Sequence, residues 1–138
     1  MVKVILVDAW KTFVTDEGLF LDMKEMLDEF PNKKIILTNA NEEELVRLGI
    51  VNMPYEVFTL AHNPNKSDPE YYKKLLEKYA LNAEDTIYFE HSQEAVKSAQ
   101  AFGIKTLFYD ENKRDLDEVR EFLRKNLQQK ALKLESIS

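Results

Sequence analysis

The segment VKVILVD, residues 2–8, decides the fold, because it is a nearly continuous run of β-branched and aliphatic residues that ends on a carboxylate. A strand that faces water on one side alternates polar with apolar residues, whereas a strand buried on both faces is apolar almost throughout. We therefore expect residues 2–7 to form an inner strand of a parallel sheet, with Asp8 at its carboxyl end.

Four further apolar segments follow, and predicted helices separate them along the chain. The predicted strands span residues 34–38, 56–60, 86–89 and 104–109. The predicted helices span residues 19–30, 41–49, 68–79, 92–103 and 115–134, and the last of them is long and amphipathic. This alternation predicts an α/β fold, a Rossmann-like three-layer sandwich with a five-stranded, mainly parallel sheet. The length suits a single domain over residues 1–138, with a loop around Thr15 to Gly18.

The composition argues against several classes of function. The chain has no Cys, so neither a disulfide framework nor a thiolate site is expected. The net charge of -6 opposes binding to nucleic acid, which requires a basic face. The apolar run at residues 4–7 is too short for a membrane span or a signal sequence, so we expect no membrane association and a cytoplasmic location.

Polar residues follow the predicted strands at the points where the strands end. They are Asp8, Thr38-Asn39, the loop after Leu60, Glu90-His91-Ser92 and Asp110. The carboxyl ends of parallel strands meet at one edge of the sheet, and doubly wound sheets bind their ligands at that edge. The sequence therefore predicts a polar site there, built from residues that are distant along the chain.

Four short motifs, in order and at these strand ends, resemble those of the haloacid dehalogenase-like (HAD) superfamily across most of the chain. Motif I of that family, a strand ending in Asp-x-Asp-x-Thr, corresponds to Asp8-Ala9-Trp10-Lys11-Thr12. Motif II, a Ser or Thr at a strand end, corresponds to Thr38. Motif III, a Lys often within Lys-Pro-Asp-Pro-Glu, corresponds to Lys66-Ser67-Asp68-Pro69-Glu70. Motif IV, an acidic pair after a strand, corresponds to Glu90-His91-Ser92-Gln93-Glu94-Ala95-Val96.

The resemblance implies a hydrolase site in which an aspartate acts as nucleophile and forms a covalent intermediate. It implies that Asp8 is this nucleophile and that Lys66 is the second catalytic residue. The positions that it implies for substrate binding are Trp10, Thr12, Thr38, Asn39 and Ser92. Phosphatases of the family use Mg²⁺, for which the implied ligands are Asp8, Glu90 and His91. No other cofactor is expected.

Three positions depart from the family pattern. Trp10 stands where the phosphatases have a second Asp that acts as acid and base, and an indole cannot exchange a proton near neutral pH. His91 stands at the principal metal-binding position, although Mg²⁺ prefers oxygen ligands. Ala95 stands where the dehalogenases have an Asp that supports hydrolysis of the ester intermediate. These departures predict weak or no hydrolase activity and the binding of a phosphorylated small molecule or protein partner.

Two enzymatic alternatives stay open. In the first, Glu90 holds Mg²⁺ and the protein is an active phosphohydrolase for a large substrate. In the second, the aromatic residue in motif I, which resembles the dehalogenase pattern Asp-x-Tyr-Gly-Thr, indicates metal-independent hydrolysis of a carbon substrate. Purely structural interpretations also exist: Asp8 could cap a turn, Trp10 could fill core volume, and His91 could be a hydrogen-bonded structural residue.

The spacing of the motifs bears on access to the site. HAD enzymes of small metabolites carry an inserted cap between motifs I and II or between motifs II and III. Here the interval from Asp8 to Thr38 holds one predicted helix with its loops, and the interval from Thr38 to Lys66 holds a helix, a strand and a loop. The sequence therefore predicts no cap domain and an open site, suited to a large substrate or to a partner that acts as a lid. A homo-oligomer is also compatible with the sequence.

Overall fold

The computed structural model describes residues 3–127, and a five-stranded sheet forms its centre. In chain order the strands are β1 (Val4–Asp8), β2 (Val14–Thr15), β3 (Gly18–Leu19), β4 (Lys34–Thr38), β5 (Glu56–Thr59), β6 (Thr86–Glu90) and β7 (Lys105–Phe108). The order in the large sheet is β5-β4-β1-β6-β7, and every neighbouring pair is parallel. Strand β1 is buried along its whole length and lies in the middle, as its apolar run predicts.

Within residues 3–127, five α-helices cover the two faces of this sheet. They are α1 (Leu21–Leu27), α2 (Glu42–Arg47), α3 (Pro69–Tyr79), α4 (Gln93–Ala101) and α5 (Leu116–Leu127). Helices α1 and α5 contact each other in one core, and α3 and α4 contact each other in a second core. Strand β1 contributes to both, because Ile5 and Val7 belong to the first core and Val4 and Leu6 to the second. The predicted three-layer α/β sandwich is confirmed.

Local sequence sets the helix ends that border the carboxyl edge of the sheet. Asn41 begins α2 with a capping box, in which its side chain accepts from the Glu44 N–H at 2.9 Å and the Glu44 side chain accepts from the Asn41 N–H at 3.0 Å. Helix α2 ends just before Gly49, whose φ of 77° suits a residue without Cβ. Ser92 caps α4 by accepting a hydrogen bond from the Ala95 N–H.

The segment between β1 and α1 differs from the sequence-based expectation. Strands β2 and β3 form a short antiparallel hairpin where a loop was predicted. Helix α1 begins at Leu21 and ends at Leu27, so the predicted helix over residues 19–30 was too long at both ends. Strands of two residues are too short to show an alternation of polar and apolar residues, and Leu19 fits the helical spacing as well as it fits a strand.

Two predicted elements extend beyond the described residues. Val2 of the first strand and residues 128–134 of the last helix lie outside residues 3–127. Between β1 and β4 the chain forms only the hairpin and α1, and between β4 and α3 it forms only α2 and β5, so neither interval contains a cap domain. Within the same residues, every helix is too short or too polar to cross a membrane.

Candidate functional site

Four charged side chains meet at the carboxyl edge of the sheet. Asp8 ends β1, Glu90 ends the neighbouring strand β6, and His91 follows directly. Lys66 reaches them from the loop between β5 and α3. These four residues line a cavity of about 320 Å³, and three of them are buried. We call Asp8, Lys66, Glu90 and His91 the floor cluster.

Asp8 is only 1% exposed, and both of its carboxylate oxygens accept hydrogen bonds. Oδ1 accepts from Lys66 Nζ at 2.7 Å. Oδ2 accepts from the Thr12 hydroxyl at 2.6 Å, from the His91 backbone N–H at 3.1 Å, and from His91 Nδ1. The turn after β1 brings Thr12 back toward Asp8, with Lys11 in the left-handed region at a φ of 71°. Four donors therefore surround this carboxylate.

Glu90 is fully buried, and both of its oxygens are also engaged. Oε1 accepts from Lys66 Nζ at 2.6 Å and from the Tyr88 hydroxyl. Oε2 accepts from the Ser92 backbone N–H at 2.9 Å and lies 3.2 Å from His91 Nδ1. A buried carboxylate requires such partners, because hydrogen bonds and opposite charges must replace its lost hydration.

The floor cluster forms a closed ring of charges. Lys66 Nζ bridges Asp8 Oδ1 and Glu90 Oε1. His91 Nδ1 bridges Asp8 Oδ2 and Glu90 Oε2. Each carboxylate therefore gives one oxygen to the ammonium group and the other to the imidazole.

The ring favours the charged forms of Asp8, Lys66 and His91. Burial raises the pKa of Asp8, but the Lys66 ammonium and the hydrogen bond from His91 outweigh burial and hold this pKa below its usual range. Burial lowers the pKa of Lys66, and the two carboxylates reverse that effect and raise it. Burial also lowers the pKa of His91, but its hydrogen bonds to Asp8 and Glu90 raise it to about 10. At neutral pH Lys66 and His91 are therefore cations and Asp8 is an anion.

Two contacts with residues at the end of β4 help to hold Lys66 in position. Its N–H donates to Asn39 Oδ1 at 2.6 Å, which ties the loop before α3 to the end of β4. Its Nζ also lies 3.4 Å from the Leu37 carbonyl oxygen. All three N–H groups of the ammonium therefore have acceptors inside the protein, and two of these acceptors are carboxylates.

Of the five residues predicted to bind substrate, four line the cavity and one does not. The four are Trp10, Thr38, Asn39 and Ser92. Thr12 is fully buried and donates its hydroxyl hydrogen to Asp8, so it holds the Asp8 carboxylate and does not line the cavity. Trp10 is half-buried, packs against the core, and also lines a second cavity of about 220 Å³.

Two of the lining side chains keep hydrogen-bond donors for a ligand. The Thr38 hydroxyl oxygen accepts from the Ala40 N–H at 3.1 Å, so its hydrogen is left to donate. The Asn39 amide oxygen accepts from Lys66, so its NH₂ group is left to donate. The cavity wall therefore offers neutral donors, whereas the carboxylate oxygens and the Lys66 ammonium of the floor cluster are already engaged within the protein.

A second polar group, which the sequence did not reveal, lines the exposed part of the same cavity. It consists of Glu44, His62 and Asn65, and we call it the rim cluster. His62 Nε2 lies 2.5 Å from Glu44 Oε1, and His62 Nδ1 lies 2.8 Å from Asn65 Oδ1. These contacts tie α2 to the loop after β5. Ala61 and His62 adopt φ values of 51° and 67°, which non-glycine residues rarely do, so these contacts hold an unfavourable backbone.

The arrangement of the floor cluster does not fit a divalent cation. Asp8, Glu90 and His91 offer three potential ligand atoms within 4.8 Å of one another. Nδ1 contacts carboxylate oxygens of Asp8 and Glu90, and an ionised carboxylate only accepts hydrogen bonds, so Nδ1 faces them as a donor and does not offer its lone pair to a metal. Mg²⁺ also demands a nearly octahedral set of oxygen ligands. In this arrangement the three predicted metal ligands bind one another.

The chain matches a known family model. The model described as haloacid dehalogenase-like hydrolase matches residues 5–109, an interval that includes all four motifs. No curated protein matches the chain.

Several solved structures share the fold. An uncharacterized protein from Corynebacterium glutamicum is 19% identical, with 86% of this chain and 93% of that chain covered and a TM-score of 0.60. A HAD family enzyme from Bacteroides thetaiotaomicron, solved as an alanine mutant with magnesium and inorganic phosphate, is 12% identical, with 78% and 94% covered and a TM-score of 0.59. A HAD-superfamily hydrolase from Geobacter sulfurreducens is 22% identical, with 67% and 47% covered and a TM-score of 0.52.

Identities at this level show a common fold, and the family model adds a match over most of the chain together with the motifs that form the site. The chain belongs to the haloacid dehalogenase-like hydrolase family.

Proposed function

We propose that this HAD-family protein binds a phosphorylated small molecule or protein partner in the cavity and hydrolyses it weakly or not at all. The observation that carries the proposal is the condition of Asp8. A carboxylate has about four lone-pair sites, and Asp8 accepts four hydrogen bonds. Three of the four fall on Oδ2, so a substrate must compete with donors of the protein for that oxygen, and it meets the Lys66 ammonium at Oδ1.

The chemistry around Asp8 also disfavours turnover. The pKa of Asp8 is lowered, which makes its oxygens weakly basic and therefore weakly nucleophilic. Trp10 lines the cavity at the motif position of the general acid, and its indole supplies no acid–base group. The absence of a positioned general acid typically lowers a rate by about 10²–10⁴. We therefore expect residual activity at most.

The charge balance of the site suits an anionic ligand. Because Lys66 and His91 offset Asp8 and Glu90, an entering phosphate group does not meet a net negative charge at the floor cluster. Glu44, which is paired with His62, and Glu94 also line the cavity. Thr38 and Asn39 offer neutral donors on the wall. The Bacteroides thetaiotaomicron enzyme is described with inorganic phosphate, which supports phosphate as the ligand class of this fold. The absence of a cap over residues 3–127 leaves room for a phosphorylated residue of a partner.

Binding is tested by isothermal titration calorimetry with inorganic phosphate and with O-phosphoserine. Thr38→Val keeps the side-chain shape and removes the hydroxyl donor, so we expect a several-fold weaker affinity. Thr106→Val is the matched control, because Thr106 lies on β7, donates to the Ile104 carbonyl, and lines neither cavity described here. The absence of saturable binding of both ligands to the wild type, or an equal loss in both variants, contradicts the proposal.

Turnover is tested with acetyl phosphate, with and without Mg²⁺. We expect rates close to the uncatalysed hydrolysis in both conditions. Magnesium-dependent turnover that Asp8→Asn abolishes would instead identify an active phosphohydrolase and would reject the proposal of weak or absent activity.

One observation favours metal-independent hydrolysis as a second candidate function. Asp8 is held by Lys66 and His91 without any need for a metal ion, and Trp10 gives motif I an aromatic residue. The test is halide release from 2-chloropropionate or hydrolysis of an aryl ester in the presence of EDTA. EDTA-resistant activity that Asp8→Asn abolishes supports this candidate, and its absence removes it.

A further inference from the structure

Two side chains, Lys66 and His91, each bridge the carboxylates of Asp8 and Glu90. One bridge is the Lys66 ammonium, with contacts of 2.7 and 2.6 Å to the two carboxylates. The other bridge is His91 Nδ1, which contacts the remaining oxygen of each carboxylate. Two carboxylates from neighbouring strands, with an open position between two of their oxygens, would ordinarily attract a divalent cation. Here a side-chain nitrogen fills that position.

We propose that His91, together with Lys66, replaces the divalent cation of this site, so that the protein is a metal-free member of its family. His91 is the residue that excludes the metal. A cation between Asp8 Oδ2 and Glu90 Oε2 would have to occupy the place of the Nδ1–H group. The proposal does not depend on whether the cavity binds phosphate.

The main chain would keep the carboxylates in place if the imidazole were removed. The His91 backbone N–H donates to Asp8 Oδ2 at 3.1 Å, and the Ser92 backbone N–H donates to Glu90 Oε2 at 2.9 Å. These donors do not depend on the side chain at position 91. Lys66 likewise continues to hold the other oxygen of each carboxylate. A substitution of His91 should therefore leave a space between Asp8 Oδ2 and Glu90 Oε2 while both carboxylates stay in place.

This reasoning predicts that a single substitution creates a metal site. His91→Asp removes the Nδ1–H group and adds an oxygen ligand, which gives three carboxylates around the open position. Without metal, this variant carries an uncompensated negative charge and should unfold at a lower temperature than the wild type. Bound Mg²⁺ or Mn²⁺ offsets that charge and should raise the unfolding temperature saturably.

The experiment measures the unfolding temperature of EDTA-treated, phosphate-free protein during titration with Mg²⁺ and with Mn²⁺. We expect no saturable shift in the wild type and a rise of several degrees in His91→Asp. His91→Asn, which adds a neutral oxygen ligand, is used in the same way if His91→Asp does not fold. Binding of Mn²⁺ is checked separately by the relaxation of water protons.

The other histidine of the chain supplies the matched control. His62 lines the same cavity but contacts neither Asp8 nor Glu90, so His62→Asn, matched to His91→Asn, adds a neutral oxygen outside the floor cluster. We expect no metal-induced shift in this variant. The proposal is overturned by a saturable shift in the wild type, by the absence of a shift in the folded His91 variants, or by an equal shift in His62→Asn.

Discussion

The floor cluster and the rim cluster both pair a histidine with acidic side chains on one cavity, but they differ in burial. In the floor cluster the His91 side chain is 22% exposed and its acidic partners are 1% and 0% exposed. In the rim cluster the His62 side chain is 44% exposed and Glu44 is 25% exposed. Both histidines have a raised pKa, because each contacts acceptors that favour the charged ring.

Burial decides how much stability the protein loses when one partner of each pair is removed. Removal of one partner from a buried ion pair leaves a charge without water, and the cost is large. Removal of one partner from an exposed pair leaves a charge that water solvates, and the cost is small. We therefore infer that the protein loses much stability when one member of the floor cluster is removed, whereas the rim cluster chiefly shapes the mouth of the cavity. Four predictions test this contrast, in order of decreasing effect.

The largest effect is expected for Lys66→Met. The substitution keeps the length of the side chain but leaves Asp8 and Glu90 buried with one cation fewer. Breaking a buried pair in this way typically costs about 3–5 kcal/mol of unfolding free energy. Urea denaturation measures the change. Lys97→Met, on the exposed side of α4, is the control and should stay within about 0.5 kcal/mol of the wild type. If Lys66→Met and Lys97→Met lowered the unfolding free energy by similar amounts, the difference proposed between buried and exposed charges would be wrong.

The second prediction concerns alkaline pH. The pKa of His91 is raised from 6.5 to about 10 in the folded protein, so its contribution to stability is complete below pH 6.5 and is lost as the pH rises toward 10. The loss should be on the order of a few kcal/mol, because the ring is mostly buried. Unfolding free energies measured from pH 6 to pH 10 should fall for the wild type.

His91→Gln and His62→Gln separate the two clusters in this experiment. The first variant should remove most of the decline between pH 6.5 and 10, since Gln does not titrate. The second should leave most of it in place, because His62 is exposed and water screens its pair with Glu44. A decline that persists in His91→Gln would show that another group controls the alkaline stability.

Tyr88→Phe should have a smaller effect within the floor cluster. It removes a hydroxyl that donates to the buried Glu90 and leaves the other donors of that carboxylate in place. Loss of a hydrogen bond to a charged group costs about 1.5–3 kcal/mol. Tyr72→Phe is the matched control, because its hydroxyl donates only to the neutral Ala95 carbonyl at 3.3 Å. If chemical denaturation showed that Tyr72→Phe lowers the unfolding free energy more than Tyr88→Phe, the hydrogen bond to the buried Glu90 would not be the more stabilising of the two.

The sequence predicted more of the fold than of the site. The apolar run of β1 and the Asn41 and Ser92 caps are local signals, so the parallel sheet and most helices followed from them. The strand ends also predicted that Asp8 and Glu90 would share the carboxyl edge of the sheet, and the structure adds that their strands are neighbours. The family resemblance added Lys66 to this group.

The arrangement of hydrogen bonds within the site could not be predicted. Whether His91 Nδ1 faces two carboxylates or a metal ion depends on a side-chain orientation that no motif specifies. The pair of His62 and Glu44 joins residues 18 positions apart through an irregular loop with two left-handed residues, for which neither Ala61 nor His62 gives a sequence signal. Long-range polar contacts of this kind become visible only in three dimensions.

The smallest effect is expected for His62→Gln in the rim cluster. Gln can still donate to one acceptor, and Glu44 stays solvated and keeps its place in the capping box of α2. The unfolding free energy should therefore stay closer to the wild type than that of Tyr88→Phe, and the small difference should shrink further at high salt, which screens exposed pairs. Urea denaturation at 0.05 M and 1 M NaCl provides the measurement, with Lys66→Met as the salt-insensitive reference. If His62→Gln proved as costly as Tyr88→Phe, the strained loop that carries Lys66 would depend on the rim cluster, and the two clusters would form one cooperative unit.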